Sequence, residues 1–530
     1  MIPITMRGVC GMRRSAGRMK RGKVQIGWRR RVMDGVTELT LGIDLGTSSV
    51  KAVAVDRHGR VVANGAAAYP ILRPQSGFAE QDPAAWWDAV VAAVRGVVDH
   101  LPDSSMIAAA GLSGQMHGTV LLDERGTPLR PAVIWPDQRA SREVDALLSA
   151  HGEAWFLAHT GGLPATGFQI ATARWIQTHE PAEWARTRHM LLPKDYIRWR
   201  LTGVMATDPS DACGSGLLDI RARAWSAEVC AAADVHPWML PEIQPSRAVM
   251  GKLQPAAADA LGLPRGLPVV NGAADTACSV LCAAATSPDT LLVTLSTGGQ
   301  MVWPQHDATI DTAGRVYTFC SALDPISGAA GWYVLGGPLA AGLALNWALE
   351  RVVGVRSAGE RDAMLESAGA VEPGAKGLTF VPALVGERTP RRDPHARGVF
   401  HGLSAEHGQP ELVRAVLEGV ALALLDGYAA FEALGARPRR FVVSGGGAHI
   451  AVWRRMLADA FVLPACWLAA EDQSAVGAAA LAGDGAGLYS AVEAVQAWAS
   501  CRETITPDPA ATIVYRERLQ VYRRVRDGLM

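Results

Sequence analysis

The stretch Leu267-Pro-Val-Val-Asn-Gly-Ala-Ala-Asp275 ends a β-branched apolar run at Gly272 and sets one carboxylate before small, helix-compatible residues, Thr276 to Ala285. A strand that delivers a lone Asp to the mouth of a helix can present a general base, and Asp is equally a favoured N-cap. Local sequence leaves both roles open for Asp275. A second carboxylate has a different setting. Gly42-Ile-Asp44-Leu-Gly46-Thr47-Ser48-Ser49-Val-Lys51 reads as strand, tight turn, strand. Gly46 admits a backbone that a side chain would block, so Thr47 and Ser48 can aim N–H and O–H groups at phosphate oxygens. Asp44, at the strand's end, is placed to hold Mg²⁺ through water. An ordinary hairpin is the competing reading.

Other strand ends carry polar or bare backbone. The buried-strand pattern Ile107 to Leu112 runs into Ser113-Gly114-Gln115-Met116-His117-Gly118. Polar residues between glycines directly after a strand mark a ligand edge in α/β folds, which makes His117 a candidate contact for a sugar hydroxyl, with Gln115 beside it. Val133-Ile-Trp135 is a second such end, with an aromatic able to face a sugar ring. Thr290 to Trp303 repeats the opening hairpin around Ser296-Thr297-Gly298-Gly299. Phe441-Val-Val-Ser-Gly445-Gly446-Gly447 is strand, triple glycine, helix, where bare backbone would let adenine and ribose lie flat.

The elements that must position these groups alternate strand and helix. Val61 to Tyr69 follows the first hairpin as a third strand, and Asp82-Pro83 caps and opens a helix ending near Leu101. Glu411 opens a long apolar helix ending near Leu434, Trp453 to Phe461 is another, and Ser474 to Ala480 is a small-residue helix. A chain of 530 residues is too long for one core, so two or more domains are expected. No apolar run reaches the length of a membrane span. Residues 1–33 hold ten Arg or Lys and no acid, which leaves the rest of a chain of zero net charge at −10 and argues against a nucleic-acid footprint on the fold. This basic start is expected to be disordered over residues 1–38; a transit peptide, a nucleic-acid arm or a start assigned ahead of Met33 would each explain it. The eight cysteines show no C-x-x-C pair, as in a reducing cytoplasm, and Cys278 with Cys282 reads as one buried helix face.

Taken together, the chain resembles the FGGY carbohydrate kinases, from about Leu39 to its C-terminus. The motifs are G-I-D-L-G-T-S-S-V-K at 42–51, E-Q-D-P-x-x-W-W at 80–87, G-Q-M-H-G at 114–118, L-L-P-K-D-Y at 191–196, S-D-A-C-G at 210–214, G-x-x-D at 272–275 and G-E-R-T-P at 386–390. The resemblance, nearest to the xylulose kinases within that family, implies an α/β fold of two ribonuclease-H-like domains of the actin, hexokinase and Hsp70 type, with a cleft between them. The expected divisions are 39–287 for sugar, phosphate and the catalytic Asp, 288–507 for nucleotide, and a C-terminal helix over 508–530. ATP and Mg²⁺ are the implied cofactors, and D-xylulose or a related polyol the implied partner, in a cytoplasmic protein that a homodimer would suit. Asp275 would be the base, Asp44 would bind the metal, and Thr47, Ser48, Thr297 and Gly298 would hold phosphates. Gly446 and Gly447 would line the adenosine site, and Met116 and His117, with Gln115 and Trp135, the sugar. The chain departs from the xylulose-kinase pattern at Pro136 and Thr276, where asparagine is usual, at Ser296-Thr297-Gly298-Gly299 for G-T-S-G, and at Thr172 for a lysine. These departures leave another ketose or a pentitol open as acceptor. An actin-like nucleotide-binding regulator is the rival class, although residues 1–38 show no helix-turn-helix pattern; no G-x-x-x-x-G-K-[ST] occurs.

Overall fold

The structure, a computed structural model, describes residues 38–325 and 328–528. The basic start, residues 1–37, and with it the expectation of disorder there, lies outside the described residues.

Two seven-stranded sheets carry the chain. The first is built from β1 (Leu39–Leu45), β2 (Ser49–Asp56), β3 (Val61–Ala68), β4 (Ile107–Gly114), β5 (Val249–Lys252), β6 (Pro268–Val270) and β7 (Ala273–Ala274), in the order β5-β6-β4-β1-β2-β3, with β7 paired to β4. The second comprises β8 (Thr290–Leu295), β9 (Gly299–Gln305), β10 (Tyr317–Cys320), β11 (Trp332–Gly336), β12 (Arg440–Ser444), β13 (Ala465–Leu468) and β14 (Cys501–Ile505), in the order β10-β11-β9-β8-β12-β13-β14. Each opens with an antiparallel hairpin whose first strand pairs in parallel with a later one, β1 with β4 and β8 with β12. The repeated hairpin in the sequence is therefore a repeated sheet, and the fold is the expected duplicated α/β architecture. β1 is buried along nearly its whole length on both faces, although its sequence alternates Leu and Ile with Thr40, Gly42 and Asp44.

Register brings the chemistry to one edge. Asp44 lies opposite Ser113 on β4, and Ser113 and Gly114 lie opposite Ala273 and Ala274, so Asp275 leaves the sheet two strands from Asp44. On the second sheet Thr294 is level with Ser444, just before the triple glycine. Helix α1 (Pro83–Val98) starts where Asp82 accepts the Ala84 N–H, as its sequence predicts. Helix α2 (Asp275–Cys282) follows β7, and α3 (Gln409–Ala433), apolar on nearly every face, is buried continuously from Val413 to Leu424. Helices α4 (Gln473–Gly485) and α5 (Pro509–Asp527) complete the set used below.

Helix α4 comes from the second half of the chain, yet it packs on β1 and β4 of the first sheet and along α2. The contact is backbone against backbone. A Cβ on Gly42 would stand 1.8 Å from the Ala475 carbonyl oxygen, one on Gly111 2.2 Å from that of Ala478, and one on Gly477 2.1 Å from that of Cys278. The small residues of α4 are thus a spacing requirement. Gly477→Ala is expected to cost at least ~1–3 kcal/mol, since neither backbone can yield cheaply, and to appear as a lowered melting temperature. An unchanged melting curve would show that the helix can move away.

Cys278 and Cys282 are free and buried on α2, as expected. The scattered cysteine spacing gave no sign of one pairing: β13 and β14 bring Cys466 and Cys501 together as a disulfide, with their Cα atoms 5.4 Å apart.

Candidate active site

A cleft of about 230 Å³ is lined by Asp44, Lys51, Asp275 and Thr276 from the first half and by Thr294, Gln300, Ser444 and Gly445 from the second, with Glu471 to Ser474 closing one side. Asp275 is the first residue of α2, and the cap position is Ala274, which has no side-chain cap. The Asp275 carboxylate accepts the Thr276 N–H at 2.6 Å. Burial lifts its pKa to about 7, the nearby charge of Asp44 adds to the rise, and the Thr276 bonds offset part of it. Asp44 is lifted to about 6, chiefly by burial, against the lowering influence of Ser113 and Lys51. Lys51 reaches across the halves to Asp472, Nζ to Oδ1 2.8 Å. Two carboxylates whose environments raise both values are poised to gain and release protons near neutrality.

Asp44 Oδ1 is buried and has no hydrogen-bond partner among the described residues. An orphaned hard oxygen at the floor of a cleft suits a divalent cation of the Mg²⁺ class, which takes one or two carboxylates and completes its shell with water and phosphate.

The sugar candidates form a separate wall. His117 adopts a positive φ of 74°, and its Nδ1 lies 2.6 Å from the Gly214 carbonyl oxygen. Only a protonated Nδ1 can donate there, so Nε2 is left as an acceptor in the neutral ring. Burial pushes the His117 pKa down to about 4, so the ring is neutral at physiological pH. It stacks on Phe168 with centroids 4.1 Å apart and lies 6.1 Å from Phe319. Met116 is buried next to it.

Gln115 is a different case. It is fully buried, and its amide nitrogen donates to Gln81 Oε1 at 2.9 Å. Gln81 also accepts from the Trp86 indole and donates to the Thr47 carbonyl at 2.7 Å, tying the E-Q-D-P-x-x-W-W motif to the first turn. Gln115 therefore stands behind the turn, and Gln81 is a positioning residue that strand-end reasoning overlooked. Trp135 is half exposed, and its indole N–H donates to Thr47 Oγ1 at 2.9 Å, which ties it to the first hairpin turn. Ser48 and Thr297 are exposed at the two turns, and the Thr297 carbonyl accepts from Ala341 and Leu343. A Cβ on Gly298 would meet the Leu339 carbonyl oxygen at 3.1 Å. The triple glycine divides by role. Gly445 lines the cleft, a Cβ on Gly446 would meet nothing within 4 Å, and one on Gly447 would strike Leu295 at 2.7 Å. A side chain at Gly447 would strike Leu295 and Trp453, so packing alone already requires glycine there.

Behind Asp275 lies a buried ionic platform. Lys194 Nζ lies 2.6 Å from Asp195, 3.2 Å from Asp208 and 3.6 Å from Asp211, all fully buried, and Arg198 pairs with Asp195 at 2.8 Å. Ser210 Oγ joins Asp208 at 2.5 Å and accepts the Ala274 N–H at 3.0 Å, one residue before the carboxylate in the cleft. The L-L-P-K-D-Y and S-D-A-C-G motifs thus meet to hold the turn that presents Asp275.

The description of the FGGY family of carbohydrate kinases matches residues 39–282 for its N-terminal domain and 291–485 for its C-terminal domain. The chain belongs to this family. Among curated FGGY relatives, the xylulose kinase of Escherichia coli is 34% identical over 493 residues, covering 92% of this chain and 99% of that protein. The solved xylulose kinase of Rhodospirillum rubrum superposes with a TM-score of 0.86 at 33% identity over 93% of this chain and 99% of that one. A gluconate kinase structure from Lactobacillus acidophilus superposes with a TM-score of 0.87 at 25% identity, covering 93% and 98%. Two departures from the xylulose-kinase pattern now have places in this FGGY chain. The Thr276 hydroxyl turns back on Asp275 Oδ1 at 3.3 Å, and Thr172 is fully buried with its hydroxyl unpartnered among the described residues.

Proposed function

We propose that this FGGY kinase transfers the γ-phosphoryl group of ATP to the 5-hydroxyl of D-xylulose, giving D-xylulose 5-phosphate and ADP. One observation carries the reading: two raised carboxylates, Asp44 and Asp275, line a single cleft together with Thr294, Ser444 and Gly445 of the second half. Phosphoryl transfer asks for alignment and charge neutralisation more than covalent chemistry. Asp275 accepts the proton of the attacking hydroxyl. His117 Nε2 accepts a hydrogen bond from a second hydroxyl, and Met116 packs on the carbon chain. Thr47, Ser48, Thr297 and Gly298 hold the phosphates from the two hairpins, with Gly445 and Gly446 under the adenosine. Asp44 would hold Mg²⁺, which supplies charge neutralisation on the phosphates when bound. Residues 39–287 serve sugar and phosphate, residues 288–507 the nucleotide, and the C-terminal helix follows. A cytoplasmic location and a homodimer suit this reading.

The test is coupled ADP release over a panel of D-xylulose, other ketopentoses, ketohexoses, pentitols and gluconate. D-xylulose should give the highest kcat/KM; no stimulation by any of these compounds would overturn the reading. A second acceptor class is favoured by one feature: Thr276 spends its hydroxyl on Asp275, where the relatives' asparagine would offer an amide to the sugar.

The pKa of Asp275 sets a pH dependence. As pH falls through about 7, its carboxylate takes up a proton and can no longer accept one from the sugar. The kcat/KM for sugar should therefore drop about tenfold per unit below that point, since this parameter reports the free enzyme. A profile flat to pH 5 would contradict the assignment.

A further inference from the structure

Arg388 belongs to the G-E-R-T-P loop of the second half, and no role above uses it. No carboxylate among the described residues acts on its charge, and its Nη2 donates to the Gly337 carbonyl at 3.3 Å. Its Nε is sealed from solvent and has no partner among the described residues. Guanidinium stays protonated inside proteins, so one N–H of a charged group is held out of water without an internal acceptor. The neighbouring Thr389 is tied to the Arg315 carbonyl at 3.0 Å, which fixes the loop.

The surroundings indicate what the donor meets. Gly337 follows the end of β11, whose Leu335 pairs with Tyr317 on β10, and Tyr317 belongs to the ring cluster with Phe168, Phe319 and His117. After burial, the charge of Arg388 also helps hold the His117 pKa down. His117, with Nδ1 committed to Gly214, offers only an acceptor from Nε2. That acceptor can serve a hydroxyl but cannot satisfy a carbonyl oxygen, which needs a donor.

We propose that Arg388 is a sugar-binding residue supplied by the second half of the chain, whose guanidinium donates to the keto oxygen of the acceptor while His117 accepts from a hydroxyl. This rests on the sugar-kinase reading above and goes beyond it. The pairing makes the site complete only when both halves contribute, and it favours a ketose over the pentitol that lacks the carbonyl.

The experiment is steady-state kinetics of wild type, Arg388→Gln and Arg388→Lys with D-xylulose, a pentitol and ATP, with melting curves for each. Losing a charge-assisted hydrogen bond predicts a rise of about 10–100-fold in the KM for D-xylulose. The KM for ATP should stay within twofold, the ketose-to-pentitol preference should shrink, and the lysine variant, lacking the planar fork, should recover only part of the loss. Folded variants with an unchanged sugar KM, or with the KM for ATP raised instead, would overturn the proposal. Should the glutamine variant fail to fold, the lysine variant decides by the same readings. Wild type that releases ADP with no response to any sugar would sink the underlying kinase reading, a result distinct from a silent Arg388.

Discussion

Asp275→Asn is expected to lower kcat for sugar phosphorylation by about 10²–10⁴-fold, the usual contribution of a positioned general base. The KM for ATP should change little, because Asp275 stands on the first half while the triple glycine stands on the second. Stability should move the other way. A carboxyl whose folded pKa is raised to about 7 binds its proton more tightly in the native state than in the unfolded chain, so it lowers stability progressively as pH climbs from the unfolded value to that point. Asparagine removes this penalty. The variant should melt above wild type at pH 8 and converge with it as pH falls toward 4, a loss of activity with a gain in stability. Activity retained within a few-fold would remove Asp275 as the base, whatever the melting data show.

The second large effect is structural. Lys194→Met leaves Asp195, Asp208 and Asp211 in the interior without the cation that lies within 3.6 Å of all three. Burial alone would lower the Lys194 pKa, but the three carboxylates outweigh it and hold the value above the ordinary lysine range. Breaking a buried ionic cluster from one side costs about 3–5 kcal/mol, because Asp208 and Asp211 lose the cation without regaining water, while Asp195 keeps Arg198. A lysine with a raised native pKa contributes its stability fully below the unfolded value of about 10.4 and loses it only as pH rises toward the native value. Activity should fall as well, since Ser210 links Asp208 to the backbone of Ala274. Denaturant unfolding of wild type and variant measures the first effect; a shift below 1 kcal/mol would mean that the cluster relaxes around the gap.

The sequence was most legible where one residue type admits one backbone. The hairpin turns at Gly46 and at Ser296 to Gly298, the Asp82 cap and the strand leading to Asp275 all follow from local rules, and the repeat of the hairpin announced the repeat of the sheet. Long-range partners were not legible. Nothing near Gln81 says that it joins Thr47, Trp86 and Gln115, and nothing near Gly447 says that Leu295 lies beneath it; both facts come from strands distant in the chain. Trp135 was expected at the sugar because aromatic rings suit sugars, but its indole found the Thr47 hydroxyl. The Lys194 platform left a trace only as a motif, since its five charged residues, spread over 194–211, look solvated until the fold buries them. Arg388 likewise left a trace only as the third residue of G-E-R-T-P; that its Nε lacks a partner among the described residues could be seen only in the fold.

The account stands on a phosphoryl group arriving at one named oxygen. ³¹P NMR of the product formed from ATP and D-xylulose tests this directly. The prediction is a sugar phosphomonoester whose phosphorus couples to the two C5 protons, formed in equal amount with ADP. Inorganic phosphate alone, or a phosphomonoester at another carbon, would contradict it.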